Sequence, residues 1–160
     1  MPVFDALQRQ FFKLSPLLSI DDLATVTVGN RRPIPEEGPI ENWDPRELAV
    51  YHLDPTKRDL LSDISQPRYL ISSKFRDVIQ QLVPSQVQFL PLRLQSLDGE
   101  REYQGFSLLR VLPWLSKKEL TSVTEELLIF RMPSPVGAVF VSQPLRDCII
   151  DARLQQITFS

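Results

Sequence analysis

Residues with chemical potential are few in this chain and widely spaced. Arg76-Asp77 and Arg146-Asp147 each set a guanidinium beside a carboxylate, a pairing that could hold an anion or tune an acid–base group. His52 is the one histidine and Cys148 the one cysteine. A small enzyme could be built from Arg76, Asp77 and His52 only if the three converged in a pocket. Adjacent residues of a helix point in different directions, however, and the Arg-Asp dipeptide recurs in the same context. A shared scaffold role, such as a strand-end hydrogen bond or an ion pair, accounts for it more simply. His52 falls inside a β-prone run, where a lone histidine is usually a packed or surface residue. A single His and a single Cys cannot form a His/Cys zinc cluster. With 5 glycines and no Gly-rich turn, a phosphate-binding loop is missing as well. No catalytic residue, metal ligand or cofactor is assigned, and the chain reads as a non-enzyme. Lys117-Lys118 and Arg131-Met132-Pro133 read as solvated surface.

Charge is concentrated in one place. Between Asp21 and Glu47 lie seven acids (Asp21, Asp22, Glu36, Glu37, Glu41, Asp44, Glu47) against Arg31, Arg32 and Arg46, a local charge of −4 by subtraction. Pro33, Pro35, Pro39 and Pro45 with Gly38 make residues 29–46 a long exposed loop. One reading is a solvated, proline-stiffened loop without a role. The other is a partner surface in which Glu36, Glu37, Glu41 and Asp44 meet a basic protein and Trp43 serves as an aromatic anchor.

The elements that would position such groups are announced by a repeat. Tyr69 to Phe89 aligns without a gap to Val139 to Phe159, with six of 21 positions identical: Ser72/Ser142, Arg76/Arg146, Asp77/Asp147, Ile79/Ile149, Gln86/Gln156 and Phe89/Phe159. Nine positions are apolar in both. In each copy a short apolar run ends in serine, the residue that best accepts from the unpaired amides of a helix start. Phe75, Val78, Ile79 and Leu82, and likewise Leu145, Cys148, Ile149 and Ala152, recur at i, i+3, i+4 and i+7 as one apolar stripe. This spacing predicts helices over 73–83 and 143–153, with Pro144 tolerated in a first turn and Cys148 a small core residue. Val87-Gln88-Phe89 and Ile157-Thr158-Phe159 then alternate as strands, which would put both phenylalanines in the core. The unit is strand, capped helix, strand.

Residues 1–65 look less regular. Phe4, Leu7, Phe11 and Leu14 hold helical spacing, although Gln10 to Leu14 suits a strand equally. Ala24 to Val28 and Glu47 to Leu53 are strand candidates. Gln86 to Gln95 and Arg101 to Leu112 are apolar-rich runs joined around Asp98-Gly99, a hairpin signal, and Leu127 to Arg131 adds another strand. The expected fold is α+β: a single domain with a mixed or antiparallel sheet, a few short helices and an internal strand–helix–strand repeat. It divides into an irregular N-terminal portion, 1–65, and a more regular part, 66–160, containing the units 69–89 and 139–159. At 160 residues and 42% hydrophobic, one compact domain can bury a real core. A net charge of −2 and a pI near 5.4 argue against a nucleic-acid partner. No apolar run approaches the roughly 20 residues of a membrane helix. The N-terminus carries Asp5 and lacks the order of a signal peptide. A single cysteine fits a reducing compartment, so a cytoplasmic protein is expected.

From Tyr69 to Ser160 the order of elements resembles bacterial polymorphic-toxin immunity proteins, specifically the eleventh-numbered immunity family. The matching segments are the strand ending in Ser72 before a helix, Val87 to Leu94, Phe106 to Leu112 with Trp114-Leu115, Ile129 to Arg131, Val139 to Ser142, and a closing helix and strand ending at Phe159. The chain departs from the family pattern at Pro113-Trp114-Leu115-Ser116, where an acidic, cysteine-containing ending is common. The resemblance implies an antidote that binds and blocks a cognate protein toxin, with a preformed partner surface and no cofactor. A scaffold subunit pairing through a strand edge is the alternative from another class. Neither the toxin nor the oligomeric state is specified by these residues.

Overall fold

The computed structural model describes residues 2–16, 25–28, 35, 37–44, 48–52, 63–65, 69–96, 98–133, 138–155 and 157–160, with the backbone alone for 25–28, 48–52 and 64–65. Both serines act as helix caps. Ser72 Oγ accepts from Phe75 N at 3.2 Å and opens α1 (Ser73–Leu82); Ser142 Oγ accepts from Leu145 N at 3.4 Å and opens α2 (Gln143–Asp151). Pro144 sits in the first turn of α2, where its missing N–H would have had no helical acceptor. Phe75 and Ile79 on α1, and Leu145 and Ile149 on α2, form the buried stripes. Each helix stops short of the expected end. Val83 leaves helical geometry ahead of Pro84, whose ring disfavours a helical residue before it, and Arg153 turns to φ +55°.

The strands, in chain order, are β1 (Val3–Phe4), β2 (Gln10–Pro16), β3 (Thr25–Val28), β4 (Leu48–His52), β5 (Ile64–Ser65), β6 (Leu70–Ile71), β7 (Val87–Pro91), β8 (Arg93–Ser96), β9 (Glu102–Tyr103), β10 (Ser107–Val111), β11 (Ile129–Met132), β12 (Ala138–Ser142) and β13 (Ile157–Phe159). They form three sheets. One is antiparallel, in the order β5-β6-β10-β7; a second is antiparallel, in the order β1-β2-β12-β11, with β13 also pairing β2. The third, β3-β4-β8-β9, contains the single parallel strand–strand ladder among the described residues, β4 with β8; Trp114 and Arg131 form an isolated parallel bridge. Among the described residues, two α-helices beside mostly antiparallel sheets make a small α+β domain.

Three sequence expectations are refined by this topology. The helical option for residues 4–14 does not occur: Gln10–Pro16 is a strand between β12 and β13. Its alternation explains the choice, because Leu14 joins the central core while Phe11 faces the opposite side. The Asp98-Gly99 hairpin forms, pairing Leu94 with Tyr103 and Gln95 with Glu102. Its arms do not continue as one ribbon, however. The chain changes sheet at Leu92, so β7 pairs β10 while β8 pairs β4 and β9.

The central core lies between the first two sheets and the helices, which pack on each other. Leu14, Ile71, Phe75, Ile79, Leu109, Val139, Val141, Leu145 and Ile149 are buried there. Phe89 and Phe159 pack against it only half-buried, so the rings lie at its margin and not inside it. Cys148 is likewise half-buried, a correction to its reading as a core residue. Each of the first two sheets also has an outer cluster: Leu70, Leu90, Leu92, Leu94, Leu108 and Ile40 on the first, Phe11, Leu120, Phe130, Met132, Ala138 and Phe140 on the second. Gly105 closes the β9–β10 connection against the start of α1. At φ +83°, a Cβ there would lie 3.1 Å from Ser73 Cβ.

Candidate functional site

Residues 37–44 lie across the outer face of the β7–β10 pair, held there by side chains from the strands. Gln88 grips the backbone of Ile40 from both sides, its Oε1 accepting from Ile40 N at 2.8 Å and its Nε2 donating to Ile40 O at 2.7 Å. Arg110, buried on β10, donates Nε–H to Gly38 O at 2.9 Å. Trp43 donates its indole N–H to Pro91 O at 2.7 Å and packs with Tyr103 and Phe106 on the outer cluster that contains Ile40. Asn42 takes φ +56°, a left-handed geometry that Asn accepts more readily than most residues. The loop is thereby a fixed surface element.

Its acids face outward. Glu37, Glu41 and Asp44 are exposed, while Glu36 lies outside the described residues. Trp43, the expected partner anchor, is half-buried, and its indole N–H fastens the loop to β7. The sequence cluster is thus split into three exposed carboxylates and an aromatic that presents them. What this arrangement can do chemically is attract a cationic surface.

The other singled-out residues do not gather. Arg76 pairs with its neighbour Asp77 at 3.4 Å, and Arg146 with Asp147 at 3.2 Å, both as exposed ion pairs. Such pairs contribute at most about 1 kcal/mol. Arg146 also lies over the Phe12 ring, 3.9 Å from its centroid, which ties α2 to β2. His52 is on β4, paired with Thr25, and its side chain is outside the description. Among the described residues no group of three or more His, Cys, Asp or Glu could hold a metal, and no helix is long and apolar enough to cross a membrane.

Several polar nodes were not anticipated. Asp63 accepts from Ser72 Oγ at 2.6 Å and from Gln155 N at 2.7 Å, joining the cap of α1 to the chain beyond α2. Gln86, singled out only as a repeat identity, accepts from Leu128 N and Ile129 N and donates to Glu126 O. Tyr69, at φ +54°, has its hydroxyl between Leu14 O and Val139 N, each 3.3 Å away, and burial pushes that phenol up. Asp5 accepts from the amides of Leu7 and Arg9 and ion-pairs with Arg9, whose guanidinium also donates to Thr124 O, Glu125 O and Leu127 O. Burial alone would raise the Asp5 carboxyl, but these bonds outweigh it and hold it below the usual range. An aspartate that can accept from the backbone amide two residues on is a recognisable turn signal at Asp5. The distant partners of Asp63, Gln86 and Tyr69 had no local signal.

No family model matches the sequence, and comparison with curated proteins finds no match.

Proposed function

We propose that this chain is an immunity protein of the cytoplasm, binding a cognate bacterial toxin and blocking it through the acidic loop 37–44. The observation that carries the reading is the loop's construction. Gln88, Arg110 and Trp43 hold its backbone in place, so Glu37, Glu41 and Asp44 form a preorganised acidic surface that loses little entropy on binding. Proteins that attack polyanions are commonly basic, and a fixed acidic surface would steer such a partner in and reject like-charged ones. The resemblance of Tyr69 to Ser160 to immunity proteins supports the same role. In this reading the segments 69–89 and 139–159 are copies of one strand–helix–strand unit that supply scaffold and no chemistry.

The test is co-expression with the product of the adjacent gene. Restored growth and a stoichiometric complex are expected. A toxic neighbour that remains toxic and unbound in the presence of this protein overturns the proposal, and a tight complex with a harmless neighbour points instead to an assembly subunit.

A further inference from the structure

The order β5-β6-β10-β7 in one sheet and the order β11-β12-β2-β13 in the other follow the same pattern, and their registers agree. In one, Leu108 pairs Leu70 on one side and Leu90 on the other. In the other, Leu14 pairs Val139 on one side and Phe159 on the other. The alignment of 69–89 with 139–159 provides an independent check. Val141 pairs Phe12 and Ile71 pairs Ser107, which places Phe12 on Ser107 and hence Leu14 on Leu109. Across the opposite edge Phe159 pairs Leu14 and Phe89 pairs Leu109, giving the same match. Both parallel strands of each unit therefore flank an inserted antiparallel strand at one common offset.

The chain order of those inserted strands is the unexpected part. β2 precedes β5, β6, α1 and β7, yet it sits between β12 and β13. β10 precedes β11, β12, α2 and β13, yet it sits between β6 and β7. Reading the two strand–helix–strand segments as copies, we infer that the chain is two copies of one β-β-β-α-β unit that have exchanged their first strands. Each half then lacks the middle of its own sheet and receives it from the other. Leu14 and Leu109 occupy matching places in one shared core, and Tyr69 reaches from one half to the backbone of both Leu14 and Val139 in the other's sheet. A local insult to either inserted strand must loosen the opposite half.

Two measurements on the full chain test this, and neither depends on a toxin. First, a protease site is inserted after Gly99, in the exposed Asp98-Gly99-Glu100 turn, and the folded protein is cut there. The two fragments should elute together with no shift in volume and part only in denaturant; separation in native buffer overturns the exchange. Because β8 and β9 also cross the cut, a second variant carries S15C and T158C with C148S. Opposed residues of an antiparallel pair lie about 5 Å apart at Cα, within disulfide reach. Oxidation should link the two cysteines and leave the cut fragments joined until reduced. If the variant is folded by circular dichroism and no disulfide forms, β2 is not in the sheet of the C-terminal half and the inference fails.

Discussion

Position for position, the cross-strand pair Gln88–Arg110 in one sheet occupies the register held by Thr158–Ser15 in the other. The inner faces of these sheets carry similar residues: Leu109 against Leu14, Ile71 against Val141, all in one core. The outer faces differ. Gln88 and Arg110 are long enough to reach the backbone of Ile40 and Gly38, and so they seat an acidic loop. On the second sheet the outer cover is apolar, a group in which Phe130 stacks on Phe140 at 5.4 Å and meets Phe11 edge-on at 5.0 Å. Leu120, from the 3-10 helix Glu119–Ser122, completes it. The two sheets line one core alike and diverge at their outer faces, and the candidate loop sits on one of those divergent faces.

The largest effect should come from the apolar cover. Phe130 is fully buried, and Phe130→Ala should cost about 3–5 kcal/mol of unfolding free energy, read as a lower denaturant midpoint. That is a large share of the roughly 5–15 kcal/mol of a typical domain. A loss below about 1 kcal/mol would show that this cover contributes little and would blur the contrast between the two faces.

Next comes the margin of the shared core. Phe89→Ala and Phe159→Ala remove half-buried rings at equivalent register, so each should cost less than a fully buried ring, about 1–3 kcal/mol, and by similar amounts. Strongly unequal losses in the denaturant midpoint would break the equivalence of the two sheets.

The Asp5–Arg9 knot beside the apolar cover gives a pH signature. The folded carboxyl is held below its unfolded value of about 3.9, so its contribution is fully present above that pH. It is lost as pH falls through the depressed folded value. Thermal melts of the parent should decline more steeply below about pH 4 than those of Asp5→Asn, which titrates nothing at this position. Parallel declines would remove Asp5 from the account.

Smallest of all is the expected effect of the acidic loop on stability. Reversing the exposed Glu37 to Lys should change unfolding free energy by about 0.5 kcal/mol or less, because an exposed position away from packing tolerates substitution. Trp43→Ala, by contrast, should loosen the loop through loss of its bond to Pro91 O and its packing on the outer cluster.

Much of the scaffold was legible because local signals and tertiary needs agreed. Ser72 and Ser142 cap the helices that their apolar stripes predict, and Asp98-Gly99 turns the hairpin. What escaped was non-local. Nothing near Gln10–Pro16 specifies that it inserts between β12 and β13, more than 120 residues away; burial of its two faces by remote strands decides it. The Leu92 sheet change is similar, since a continuous apolar run gives no sign of where its hydrogen-bond partners switch. At the candidate site the acids were legible as charge and Trp43 as an aromatic. Their division of labour was not, because it depends on Gln88 and Arg110, which lie over 40 residues further along the chain.

The central question is whether a basic partner lands on the loop-bearing face. The most direct measurement is the association rate of the adjacent gene's product, the proposed toxin, with the parent and with the E37K/E41K/D44K variant, across a range of salt. Fast association of the parent that slows steeply with salt, and slow, nearly salt-independent association of a folded variant, is the predicted result. Equal rates and equal salt dependence for the two proteins would contradict it and move the contact surface away from residues 37–44.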